Sequence, residues 1–265
     1  VEAGAVLGDL CRRADAGCYS PATLEWLQQV TGQSLLEAGL QAGDEATHLL
    51  EQQTAMLRHS HRFGAASGIG ELARAVNRCD ATAARDLLQR GGFDDIQSRR
   101  LSGSKDPAFS ALVLGGEGAL PGYGAYLSTL KDLRPGADVP ADDPRWEAWA
   151  SAVLSAFDRF QLLCAVRRGE WGVEGINQRA ADLLTRRGLL RADKLWYEGR
   201  PVLVTRNDYS LGLMNGDIGI ALRIREPALH AGQAETEALR VAFPRNDGKG
   251  GIRFVLPSRL PDVET

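Results

Sequence analysis

Pro201-Val202-Leu203-Val204-Thr205, followed by Met214-Asn215-Gly216-Asp217-Ile218-Gly219, decides the fold of the C-terminal part of the chain. The first run is short, apolar and β-branched, which suits a strand. Asn-Gly between apolar runs is the strongest short-range hairpin signal, because it supplies positive φ where a tight turn needs it. A second hairpin is predicted where Arg240 to Phe243 and Ile252 to Leu256 flank the glycine-rich turn Asn246-Asp247-Gly248-Lys249-Gly250-Gly251. Residues 196–265 therefore read as a small, mostly antiparallel β unit.

Upstream the texture is helical. Trp146 to Phe157 predicts a helix leading into Phe160-Gln161-Leu162-Leu163-Cys164-Ala165-Val166, an unbroken apolar run that suits a buried parallel strand. A helix over about 175–187 follows, with Ile176, Ala180, Leu183 and Leu184 on one face. Helix, strand and helix together belong to an α/β layer. Three prolines, Pro135, Pro140 and Pro144, make 131–145 the clearest linker. Before it, 105–133 is helical in part, interrupted at Gly115-Gly116 and Pro121-Gly122. Ser67 caps a helix through Val76, and another over 81–88 ends at Gly91-Gly92. Residues 54–63 read as a strand and turn, and 31–48 as a surface connection or weak helix. Pro21 sits where a first-turn proline opens a helix through Val30.

Composition excludes several classes. The chain has 265 residues, 44% hydrophobic and 25% charged, with a formal net charge of -3. Such a balance is globular, and any nucleic-acid contact must rest on a local basic cluster. No apolar run approaches the roughly 18 residues that span a bilayer, so no membrane partner is expected. The four cysteines form no C-x-x-C pair, and the four histidines make no ligand cluster, so no metal site is expected. Neither Gly103-Ser104-Lys105 nor Gly248-Lys249-Gly250 fits a phosphate-binding G-x-x-x-x-G-K-[ST] loop, and Asp44-Glu45 follows no buried strand. No G-x-S-x-G, H-E-x-x-H or G-x-G-x-x-G after a strand is present. The sequence alone offers no catalytic centre.

Three stretches together resemble superfamily-one DNA helicases of the RecD type, the alpha subunit of exonuclease V. Leu57-Arg58-His59-Ser60-His61-Arg62-Phe63-Gly64, followed by Ser67-Gly68-Ile69-Gly70, resembles that family's fourth motif, with His61 in place of the usual aromatic. Gly199-Arg200-Pro201-Val202, Arg206-Asn207-Asp208 and Asn215-Gly216-Asp217-Ile218-Gly219 are similar to its G-R-P-V, R-N-D and N-G-D-I-G block, the most specific of the three. Pro257-Ser258-Arg259-Leu260-Pro261 looks like the segment before a later motif. Phe160 to Ala165 with Gly172, Gly175 and Asn177 adds a weaker match. The opening Val1 to Asp9 resembles sequence that follows another family motif.

The resemblance implies an internal stretch of such a helicase without its ATP-binding front half. The fold expected is α/β: a helical end of the first motor domain at 1–55, part of the second RecA-like motor domain at 56–195, and an SH3-like β insertion at 196–265. The parent would be a cytoplasmic, ATP- and magnesium-dependent 5′-to-3′ helicase working with beta and gamma subunits in recombination and double-strand break repair. This stretch itself would bind no nucleotide and hydrolyse none. Arg62 would reach the γ-phosphate of ATP. Arg206, Asn207, Asn215 and Lys249 would contact single-stranded DNA, Arg206 through phosphate and the asparagine amides through phosphate, sugar or base edges. For Asn215-Gly216 the plainer reading is turn chemistry. The alternative expectation is a non-enzymatic module binding single-stranded DNA or a protein.

Overall fold

The computed structural model describes residues 6, 8, 17–37, 40–43, 52–55, 63–64, 67–103, 105–115, 121–227, 235–245, 248 and 250–265. The fold is mixed α/β, in two units, Val1–Arg99 and Arg100–Thr265.

In the first unit, local capping rules decide the helices. Strand β1 (Cys18–Tyr19) pairs in parallel with β2 (Gln41–Ala42), the second of which lies in the stretch expected as a loose connection. Helix α1 (Pro21–Thr31) opens with Ser20 Oγ accepting from the Thr23 amide and Pro21 in the first turn. It ends at Gly32, whose left-handed φ of 71° lets its N–H reach the Gln28 carbonyl. Ser67 and Asp80 cap α2 (Gly68–Asn77) and α3 (Ala81–Arg90) in the same way. A Cβ at Gly68 would lie 2.6 Å from the Phe93 side chain, so only glycine allows this helix start its close packing. The strand expected over 54–63 lies largely outside the described residues.

The second unit has one large core. Helices α4 (Pro107–Leu114), α5 (Tyr123–Asp132), α6 (Arg145–Phe157) and α7 (Val173–Arg186) lie beside a five-stranded antiparallel sheet. Its strands are β3 (Pro201–Val204), β4 (Ile218–Glu226), β5 (Thr236–Pro244), β6 (Ile252–Val255) and β7 (Val263–Glu264), ordered β6-β5-β4-β3-β7. Period-two alternation sorts the sheet's side chains into two cores. Ile220, Leu222, Ile224, Ala242 and Ile252 pack with the helices. Val202, Val204, Ala221, Val241, Phe243 and Val255 face the other way, closed over by Leu211, Leu213 and Leu260. Burial on both faces explains why β4 reads as a nearly continuous apolar run.

Two expectations are corrected. Residues 131–145 are stitched into the core rather than linking bodies. Val139 is buried, Trp146 Nε1 donates to the Pro140 carbonyl at 2.9 Å, and Trp149 Nε1 donates to the Leu130 carbonyl at 3.0 Å. The run Phe160–Val166 is not a strand. It pairs with nothing in a sheet among the described residues, and Leu163 is 91% exposed. Leu162 and Cys164 still lean on the helical core, and the Leu162 amide donates to the Tyr123 hydroxyl at 3.3 Å. Hydrophobicity pulled one edge of the run inward, but a strand also needs neighbours for its backbone.

Candidate nucleic-acid interface

The loop 205–217 joins β3 to β4 and carries three of the expected contact residues. Its shape is over-determined. Thr205 donates from both its amide and its hydroxyl to the Asp262 carbonyl at 3.0 Å. Asp208 Oδ1 accepts from the Ser210 amide at 2.9 Å, the Ser210 hydroxyl at 2.7 Å and the Leu211 amide at 3.0 Å. Those bonds, the Ser210 hydroxyl foremost, hold the Asp208 carboxyl below its ordinary pKa, and the Arg259 charge adds to them. Asp208 and Leu213 also exchange backbone hydrogen bonds at 2.8 and 2.9 Å.

Asn215-Gly216 is a turn, of a different kind from the tight hairpin expected. The Asp217 amide bonds the Met214 carbonyl at 3.0 Å, and Asp217 Oδ2 accepts from the Met214 amide at 2.8 Å. Only Gly216 takes positive φ, at 97°; Asn215 does not. The turn thus has its glycine at the third position, as a type II turn requires, and closes a long loop. Asn207 Oδ1 accepts the Asn215 amide at 2.8 Å, while Asn207 Nδ2 donates to the Tyr209 hydroxyl at 3.3 Å. Asn207 therefore fastens the loop to its turn. Arg206 is exposed, and no ion pair engages it among the described residues. Arg62 and Lys249 lie outside the described residues.

An open cleft of about 340 Å³ beside this loop is lined by Arg206, Asn207, Tyr209, Arg259 and Asp262, among others. The sequence reading named neither Tyr209 nor Arg259 as a contact residue. Tyr209 is 78% exposed, with its ring on a loop that cannot easily rearrange. Arg259, in the 3-10 turn Pro257–Arg259, is exposed on the same cleft. The signal available was an aromatic set among turn-forming residues, Asp208-Tyr209-Ser210. A guanidinium beside an exposed phenol ring can hold phosphate and stack a base. Charge in the cleft is nonetheless balanced, Arg206 and Arg259 against Asp208 and Asp262.

The remaining motif residues are structural. Gly199 has φ of 88°, its amide donates to the Ala221 carbonyl at 2.7 Å, and its own carbonyl accepts from the buried Tyr126 hydroxyl at 2.9 Å. Arg200 lies over the Trp196 ring at 4.7 Å and donates to the Leu195 carbonyl at 2.6 Å. A Cβ at Gly219 would fall 2.5 Å from the ring of fully buried Phe243. Trp146 and Trp149 are buried in the core.

The helix start that follows Arg62 in the sequence already holds an anion, the Asp95 carboxylate. Asp95 accepts from the Ser67 hydroxyl at 2.6 Å and from the Gly68 and Ile69 amides at 2.8 and 3.3 Å. These bonds, led by Ser67, lower the Asp95 pKa. Among the described residues no His, Cys, Asp or Glu group could hold a metal ion, and no helix is long and apolar enough to cross a membrane.

No family model matches the chain. Curated relatives do. It is 30% identical over 225 residues to the RecBCD enzyme subunit RecD of Haemophilus influenzae, covering 84% of this chain and 33% of that protein. The chain is homologous to RecD. RecD of Mycobacterium tuberculosis is 35% identical over 213 residues, 80% of this chain and 30% of the relative. RecD of Mycolicibacterium smegmatis is 31% identical over 233 residues, 87% of this chain and 34% of the relative. The chain spans about a third of the length of the RecD proteins it matches.

Proposed function

We propose that this chain is part of an ATP-dependent helicase subunit of the RecD kind, acting in recombination and double-strand break repair. The observation that carries the reading is the loop 205–217. The resemblance to RecD converges there on a rigid backbone, leaving Arg206 and Tyr209 exposed beside a cleft. Homology to the RecBCD subunit RecD over about four fifths of the chain supports it.

In this reading residues 1–55 end a first motor domain, 56–195 belong to a second RecA-like domain, and 196–265 are an SH3-like insertion. Arg206 and Arg259 take phosphates of single-stranded DNA, Tyr209 stacks on a base, and Asn207 positions the loop. Asn215 and Lys249 border the same strand. Arg62 senses the γ-phosphate of magnesium-bound ATP presented by a P-loop in another part of the protein. The subunit moves 5′ to 3′ beside beta and gamma partners in the cytoplasm. The chain by itself binds no ATP. A second reading, a DNA-binding module without a motor, is favoured by the absence of a P-loop from these 265 residues.

Fluorescence anisotropy with a labelled single-stranded oligonucleotide tests the DNA contact. Arg206→Ala should weaken binding by roughly three- to tenfold, as loss of one phosphate contact does. Unchanged affinity in a folded variant removes the loop from the interface. The upstream reading frame separates the motor from the module: a P-loop and an Asp-Glu motif there support the motor, and their absence supports the module.

A further inference from the structure

A cleft of about 650 Å³ in the second unit lies away from the loop just described. Helix α5, the connection 188–198 and Arg223 of β4 line it. That volume is within the range of ligand clefts. Its charge is unlike that of the chain. Five cationic side chains line it against three carboxylates, on a protein whose net charge is -3.

The internal pairing sharpens the imbalance. Glu198 is occupied, 3.4 Å from Arg134 and accepting the Arg223 amide at 3.1 Å. Arg134 is held again by Glu237 at 3.1 Å and leans over the Trp149 ring. This leaves the side chains of Lys131, Arg191, Lys194 and Arg223, all exposed, without an ion pair among the described residues. Only Asp132 and Asp193 oppose them. Two aromatic residues, Trp196 and Tyr197, share the lining. The loop cleft, by contrast, sets two arginines against two aspartates.

We infer that this groove is a second nucleic-acid contact, taking the sugar-phosphate backbone of a single strand. Unpaired cations along an open cleft attract a polyanion at long range and release its counterions on contact. Trp196 and Tyr197, half-buried against the two cores and Trp196 beneath Arg200, form the wall of the groove. The choice of nucleic acid rests on the DNA-handling reading above; the groove's preference for a polyanion rests on its own charges. In this division of labour the loop sets orientation and the groove supplies affinity.

The test uses the whole 265-residue chain, a labelled oligothymidylate and a salt series, comparing Lys131→Ala/Lys194→Ala with wild type and with Arg206→Ala. Both lysines are exposed, so the double variant should keep the wild-type Tm and circular dichroism. Two lost phosphate contacts should lower the slope of log K against log salt by about 1.4 and weaken low-salt binding by about tenfold or more. An unchanged slope and affinity in the double variant overturns the groove. If Arg206→Ala still weakens binding in that case, the loop reading survives alone. Displacement of the oligonucleotide by polyglutamate at equal charge concentration would make the groove's partner an acidic protein and overturn the nucleic-acid assignment. No binding by the folded wild-type chain at low salt overturns both.

Discussion

Strand β4 and the run Phe160–Val166 look alike as sequence and end up in opposite places. Ile218-Gly219-Ile220-Ala221-Leu222 lies at the centre of the sheet, with Ile220, Ala221 and Leu222 wholly buried. Phe160 to Val166 is as apolar and as short, yet it pairs with no strand among the described residues and turns Leu163 and Val166 to solvent. The residues explain part of the difference, since β4 has Ile218, Ile220 and Ile224 where the run has Gln161 and a single β-branched residue, Val166. The neighbours explain the rest. β4 has β3 and β5 in register beside it, Ala221 facing Val241 and Gly219 facing Val202. An apolar run specifies burial; its neighbours in the chain decide whether that burial takes the form of a strand.

The largest effect expected from breaking this contrast lies at Gly219. Its Cβ would meet the Phe243 ring at 2.5 Å, inside a core with no room to give. Gly219→Val should destabilise the chain by about 3 kcal/mol, read from urea unfolding followed by circular dichroism. A cost below about 1 kcal/mol would mean that the two faces of the sheet are looser than the packing indicates.

A smaller loss is expected where the helices meet the sheet. Tyr126 is 2% exposed, burial raises its pKa, and its hydroxyl donates to the Gly199 carbonyl at 2.9 Å. Tyr126→Phe keeps the ring and orphans that carbonyl, which should cost about 1–2 kcal/mol in the same measurement. A neutral result would show water reaching Gly199 in the variant.

What was legible in the sequence was what short-range chemistry dictates. Ser67 and Pro21 marked real helix starts, Gly91-Gly92 marked an end, and the second hairpin lies where its glycines placed it. Short apolar runs flanking glycine turns gave β3, β5 and β6. What remained hidden depended on tertiary partners. The prolines of 131–145 read as a linker because nothing in sequence shows Trp146 and Trp149 reaching back to Pro140 and Leu130. The candidate site was legible in outline only. Arg206 and Asn207 stood out, but Asn207 is consumed in fastening the loop. Tyr209 and Arg259 share the cleft although some fifty residues of chain separate them in the sequence. The basic groove was invisible for the same reason: Lys131, Lys194 and Arg223 come from a helix, a loop and a strand.

The smallest effect is the most informative about the run itself. Leu163 is a large aliphatic residue in the middle of an apolar stretch, and a buried-strand reading makes it a core position whose truncation costs roughly 2–5 kcal/mol. Its 91% exposure says otherwise. Leu163→Ser removes almost no buried surface, so stability should stay within about 0.5 kcal/mol of wild type. Solubility should rise, because an exposed, unpaired apolar segment invites strand pairing between molecules. Concentration-dependent light scattering would read that change. If the substitution instead destabilises the chain by 2 kcal/mol or more, Leu163 is buried in solution, and Phe160–Val166 is a strand after all, in a sheet built partly from other polypeptide.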